Sequence, residues 1–267
     1  MLNGTWIGPK DAPMVLLLHG GGMDARSMAP LADRLPHYRC FLPDLPGHQA
    51  SRHVPFQGLP AAADAVVATA RAKTDAPVHL FGLSLGGFVT LHILARHPEF
   101  AASAIVSGIH PGTMPFKGLT GLMLRTIYPM MHLRRLREAS ARAAGIDDVS
   151  LMNNLDGGPL ADAKTIRDVG LAALGFDLAD LATTISTRTL VLAGDEEVSA
   201  VRRGLGKFGA ALTQSQSASI PGGGHGWCLS DPDLAAEVIV AWISGTDLPA
   251  QLAPLGSNPP DAQAIVQ

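Results

Sequence analysis

The stretch Val78-His79-Leu80-Phe81-Gly82-Leu83-Ser84-Leu85-Gly86-Gly87 joins an apolar run of a strand's length to a Gly-x-Ser-x-Gly turn. The residues after Ser84, from Leu85 to Arg96 (LGGFVTLHILAR), carry helical spacing and stop at His97-Pro98. A serine on a tight strand-to-helix turn is held in a strained backbone conformation, with its Oγ pushed above the sheet edge. Side chains at the flanking positions would collide with the neighbouring strand and helix, so glycine is required there. The helix behind adds a positive N-terminal end. Ser84 is therefore the candidate nucleophile.

Working outward, short apolar runs alternate with turns and helical stretches. Strands are expected at Met14 to Leu18 (MVLLL), Tyr38 to Leu42, Val78 to Phe81 and Ala102 to Val106. Between them, Ala25 to Leu35 and Ala61 to Lys73 have helical spacing. From Pro111 to about Thr184 the chain reads as mostly helical, with no clear strand. The alternation resumes with a strand at Thr189 to Leu192, a helix near Ala200 to Leu212, a strand at Ser217 to Ile220 and a helix from Pro232 to Trp242. Continuous apolar strands alternating with helices predict an α/β fold: a mostly parallel central sheet with helices on both faces. Residues 1–110 and 185–244 form the expected core. Residues 111–184 are read as a helical lid over the carboxyl edge of the sheet, where open α/β sheets bind ligands. The proline-rich tail, residues 245–267, is expected to be loose.

Of the 267 residues, 47% are hydrophobic and 16% charged, which suits a globular core. The net charge of -3 gives no electrostatic case for nucleic acid or an anionic membrane. The first apolar run, Met14 to Leu18, is too short for a signal-peptide core or a bilayer span, so a cytoplasmic protein, monomeric or homodimeric, is expected. Cys40 and Cys228 fit no zinc or redox spacing and read as small buried hydrophobes. The ten histidines include no helically spaced pair with acid support, so no metal or other cofactor is expected.

Three further motifs accompany the serine turn in order: His19-Gly20-Gly21-Gly22, Asp44-Leu45-Pro46-Gly47-His48 and Pro221-Gly222-Gly223-Gly224-His225. With them the chain resembles the α/β-hydrolase family over about Pro13 to Trp242, in particular its lidded serine esterase, lactonase and thioesterase-like members. The resemblance implies that His225 is the base that activates Ser84, with His110 as the alternative. His19 then braces the first glycine loop, while His48 and His53 belong to a surface turn. The expected order of nucleophile, acid and histidine directs attention to Gly194-Asp195-Glu196-Glu197. The second acid of the related G-D-x-D pattern falls on Glu197, with Asp195 competing and Glu196 a solvated loop residue. No carboxylate stands at Ser107-Gly108-Ile109-His110, where some relatives carry the acid.

The tetrahedral intermediate of acyl transfer needs two backbone N–H donors. Leu85 supplies one by its position, and the glycine loop supplies the other, at Gly21. Gly22, Met23, Met114 and Trp227 are the expected substrate-binding residues. Met114 belongs to a run of methionines and other apolar residues in the lid region that either meets an apolar acyl substrate or packs the lid onto the sheet. Arg134, Arg135 and Arg137 follow, read as a solvated helix face with an anionic substrate group as the rival. The predicted activity is cleavage of a carboxylic ester, thioester or related acyl bond of a small apolar substrate. The alternatives are carbon–carbon bond hydrolysis or lysis by the same triad, and a hydrolase-like small-molecule receptor. Aspartate-dependent dehalogenases and epoxide hydrolases of this fold are disfavoured by Ser84.

Overall fold

The computed structural model describes residues 1–112, 122, 130, 133–146, 148–153 and 158–254. Eight strands form one sheet: β1 (Gly4–Ile7), β2 (Met14–Leu18), β3 (Arg39–Pro43), β4 (Val78–Leu83), β5 (Ala101–Ser107), β6 (Thr189–Gly194), β7 (Ser215–Ile220) and β8 (Ala253–Pro254). Their order is β1-β3-β2-β4-β5-β6-β7-β8. β1 and β8 run antiparallel to their neighbours, and every other pairing is parallel.

All five residues of β2 are buried, because helices cover both faces of the sheet. Met14, Leu16 and Leu18 join the core on one face, with the Leu59–Arg71 and Leu85–Arg96 helices. Val15 and Leu17 join the other, with Leu31 and the Pro232–Ser244 helix. This double coverage is why the strands read as unbroken apolar runs. The Leu85–Arg96 helix has the expected bounds.

Several expectations are corrected. The segment from Ala25 is a 3₁₀ turn, Ala25–Met28, followed by a single α-helical turn, Ala29–Ala32. The helix expected near Ala200 to Leu212 is two short ones, Ser199–Arg202 and Leu205–Ala211, with Gly204 between them packed under Pro111. β1 has no apolar run to mark it; it forms because Trp6 stacks on Phe41 at 4.3 Å, with the Arg39 guanidinium 4.4 Å from the Trp6 ring. The tail is tied down as far as Pro254: Leu252 is buried, and β8 pairs Ala253 and Pro254 with β7. Residues 255–267 lie outside the described residues. Among the described residues, 111–184 contain the Arg134–Ala143 and Ala163–Gly175 helices and no strand of the sheet.

The parallel register brings the carboxyl ends of β2, β4, β5 and β6 to one edge, where Leu18, Leu83, Ser107 and Gly194 end their strands. Gly86 lets the helix after β4 approach that edge: a Cβ there would lie 2.2 Å from the Leu18 carbonyl oxygen, a backbone atom that cannot step aside. Gly86→Ala is expected to lower stability by about 2 kcal/mol or more through this overpacking. A urea denaturation midpoint equal to wild type would contradict the close approach.

Candidate active site

Ser84 occupies φ 52°, ψ -112°, a region that L side chains rarely adopt. Its N–H donates to Ser107 O at 2.8 Å, and the Gly86 N–H donates to His19 O at 3.1 Å. The turn is thus tied to the ends of both flanking strands. Leu85 opens the following helix, where the first N–H groups have no intrahelical acceptor.

The glycine loop lies against this turn. A Cβ on Gly20 would be 3.6 Å from Ser84 Cβ, and one on Gly21 would be 3.9 Å from Leu85 Cβ. Within the loop, Gly22 N–H donates to His48 Nε2 at 3.1 Å, and Met23 N–H to Gly20 O at 3.2 Å. Among the described residues, Gly21 N–H makes no such bond, so it is available beside Leu85.

His48 corrects the surface-turn expectation, because it is fully buried. The segment around Leu160 and Ala161 covers it, with Gln49 N–H donating to Leu160 O at 2.8 Å. Its Nδ1 donates to Pro46 O, which leaves Nε2 as the acceptor for Gly22. His19 repeats the device: Nδ1 donates to Gly20 O and Nε2 accepts from Leu45 N–H. Two buried, neutral imidazoles therefore lock the glycine loop to the Asp44–His48 turn. Asp44 locks that turn in its own way, accepting from Ala25 and Ala50 N–H.

On the other side of Ser84, His225 Nδ1 and Glu197 Oε2 are 2.9 Å apart. The Glu197 side chain is 1% exposed and that of His225 is 30% exposed, so the carboxylate is buried behind the ring. Glu197 Oε1 also accepts from Gly194 N–H at 3.3 Å. Asp195, the competing acid, instead accepts from Gly222 N–H at 2.8 Å and holds the loop that carries the histidine. Glu196 is exposed. Gly108 makes room for the ring: its φ is +70°, and a Cβ would lie 2.8 Å from His225 Cε1. His110 is held elsewhere: its Nδ1 donates to Gly112 O at 2.5 Å, and its ring packs edge-on against Phe88.

Ser84, Leu85, Gly21, Gly22 and His225 open together into one cavity of about 330 Å³. Its other walls are mostly apolar, from Met152, Leu160, Ile166, Val169 and Ala173. Met23 and Trp227 do not line it. Met23 turns into the core beneath the glycine loop, and the Trp227 indole is buried with its Nε1 donating to Ser107 Oγ at 2.8 Å. Met114 lies outside the described residues. Arg137 does line the cavity, whereas Arg134 and Arg135 are exposed. Arg137 and Ala141, one helical turn apart, form the buried side of the Arg134–Ala143 helix. That spacing is the signal separating Arg137 from its neighbours. Cys40 and Cys228 are buried and unbonded to each other, and burial pushes both thiols up to about 12. Among the described residues, no group of three His, Cys, Asp or Glu side chains could hold a metal ion, and no helix is long and apolar enough to cross a membrane.

Residues 15–238 match the family model described as the Alpha/beta hydrolase family, and the chain belongs to that family. It is similar to a pimeloyl-[acyl-carrier protein] methyl ester esterase of Xanthomonas campestris pv. campestris: 29% identical over 247 residues, covering 87% of this chain and 95% of the relative. Among solved structures, a thermophilic esterase from Thermogutta terrifontis superposes with a TM-score of 0.75 at 20% identity, over 91% of this chain and 93% of that one. A lipase-esterase related protein from Clostridium acetobutylicum has a TM-score of 0.75 at 18% identity, over 91% and 99%.

The buried histidines predict an acid-side weakness. Burial holds His19 down to about 4 and His48 down to about 3, while the unfolded imidazoles titrate near 6.5. Above pH 6.5 both are neutral in either state and the pH dependence vanishes. Below it the unfolded chain takes up protons that the folded one refuses, so stability falls with pH by up to about 1.4 kcal/mol per unit for each histidine. Urea midpoints measured from pH 7 to pH 4 should fall, and His48→Gln, which retains an acceptor, should show the shallower slope. Equal slopes would count against the neutral clamp.

Proposed function

We propose that this protein is a serine hydrolase of small carboxylic esters, acting through Ser84, His225 and Glu197. The observation that carries the reading is the 2.9 Å contact between His225 Nδ1 and buried Glu197 Oε2, on a ring that shares one cavity with the strained Ser84. A carboxylate on Nδ1 fixes the tautomer with its lone pair on Nε2 and stabilises the imidazolium that forms. His225 Nε2 takes the Ser84 Oγ proton as Oγ bonds to the ester carbonyl carbon. The carbonyl oxygen becomes an oxyanion held by the Gly21 and Leu85 N–H groups. The intermediate then collapses: the carbon–oxygen bond to the alcohol breaks, and His225 returns its proton to the leaving alcohol. Water, deprotonated by His225 in the same manner, attacks the acyl-enzyme and releases the acid and Ser84.

The small, mostly apolar cavity supports a short acyl group. The name of the Xanthomonas relative, a methyl ester esterase, supports an ester over other acyl bonds. In this reading the Arg134–Ala143 and Ala163–Gly175 helices form a lid, supported by the Val169 and Ile166 side chains that reach the glycine loop. The setting is cytoplasmic, which the two free thiols support.

A fluorophosphonate probe should label Ser84, and p-nitrophenyl esters of short acids should be hydrolysed by wild type but not by Ser84→Ala. Glu197→Gln is expected to lower kcat by about two to four orders of magnitude, as loss of the orienting acid does elsewhere. Asp195→Asn should act mainly on stability. Absence of labelling and turnover in wild type would refute the esterase, and loss of kcat confined to Asp195→Asn would refute the assigned acid.

A further inference from the structure

His225 stands between two glycines, and both pack against the turn that ends the Arg134–Ala143 helix. A Cβ on Gly224 would lie 3.4 Å from Gly145 Cα and 3.5 Å from Ala144 O. One on Gly226 would lie 2.7 Å from Ile146 Cγ1 and 3.2 Å from Gly145 O. Two hydrogen bonds join the same pieces. Gly226 N–H donates to Ala144 O at 3.0 Å, and Ser230 Oγ donates to Gly145 O at 3.1 Å. Asp195 holds the histidine loop at Gly222, and Ser107 holds it at Trp227. The turn at Ala144–Ile146 grips it at the residues on either side of the base.

Gly145 gives this turn its shape. It follows the helix at φ +71°, the left-handed conformation in which glycine closes helices. Its N–H donates to Arg142 O and the Ile146 N–H to Ala141 O, both at 3.0 Å, so two of the helix-end carbonyls are satisfied. Ile146 and Ala141 are buried in one core cluster, the apolar contact that accompanies such an end. The Ala144 and Gly145 carbonyls are left to accept from the histidine loop. Ser140, in the last turn of the same helix, lines the cavity. We propose that Gly145 is a positioning residue for His225: its left-handed turn seats the histidine loop on a helix that also walls the cavity. One element then both bounds the substrate and aims the base. This rests on the esterase reading, in which His225 is that base.

Substitution at Gly145 separates shape from space. A Cβ there would meet its nearest atom, Gly224 Cα, at 3.4 Å, so a methyl fits while the backbone conformation resists it. Asparagine tolerates the left-handed region better than alanine. Gly145→Ala is expected to lower kcat on p-nitrophenyl acetate about tenfold or more, as a displaced base does. KM should change little, and Gly145→Asn should recover most of the loss. Amide exchange at Gly226, which needs no turnover, should quicken in Gly145→Ala and stay near wild type in Gly145→Asn. A folded Gly145→Ala with wild-type kcat, equal losses of kcat in both variants, or unchanged exchange at Gly226 would overturn the inference and leave the esterase standing. If Gly145→Ala does not fold, the seam is opened from the loop side. The Cβ of Gly226→Ala strikes Ile146 Cγ1 and should lower kcat, and adding Ile146→Ala, which removes that atom, should restore part of it. A loss without that relief would overturn the inference. No ester turnover and no fluorophosphonate labelling in wild type would overturn the esterase, and the exchange at Gly226 would then judge the seat of the loop separately.

Discussion

A serine at φ 52° cannot be held by its own residue's preferences, and such a conformation costs about 1–3 kcal/mol that its surroundings must offset. Two backbone hydrogen bonds do this, Ser84 N–H to Ser107 O and Gly86 N–H to His19 O. One reaches the end of β5 and the other the residue after β2. The turn is therefore stable only where three parallel strands end level with one another, and where the helix behind it comes close enough for Gly86 to touch Leu18. The buried, two-faced sheet is the condition for the reactive turn, and the apolar runs on either side of the motif are its sequence counterpart.

The same edge explains how residues more than a hundred positions apart are brought together. Ser107 accepts from Ser84 through its carbonyl and from the Trp227 indole through its hydroxyl. Trp227 follows His225 by two residues, so the histidine loop is pinned to the strand end that also restrains the serine. Asp195 adds a second pin through Gly222. Glu197 is then free of loop-holding duty and turns inward to the ring. The two acids divide positioning and orientation between them, which is why both stand in one four-residue turn.

How far the sequence exposes this arrangement depends on what each residue's neighbours are. The meeting of Ser84, Gly21, Leu85, His225 and Glu197 at one edge is legible because each lies in or just after a turn that follows a strand, and a parallel sheet carries all such turns to one edge. Met23 and Trp227 are misread because closeness along the chain to a motif does not say which way a side chain turns; both turn down into the core. His48 sits among glycine and proline and so resembles a surface turn. It is buried only because a segment more than a hundred residues later crosses over it, and no local pattern encodes that crossing. Arg137 is hidden by its arginine neighbours: only the four-residue step to Ala141 marks the inward face, and arginine carries no hydrophobic signal to reveal it.

That crossing segment also fixes the electrostatics of the cavity. Val169 and Ile166 stand over the places where Gly21 and Gly22 would carry Cβ atoms, at 3.2 and 3.4 Å, and Thr165 fills the corresponding place at Gly47. The Ala163–Gly175 helix thus rests directly on both loops that the neutral histidines clamp together. Apolar side chains therefore form the wall beside Gly21 and Leu85, and backbone N–H dipoles beside an apolar wall act on charge more strongly than they would in solvent. The packing of Val169 on Gly21 therefore sets the polarity of the surroundings of those N–H groups.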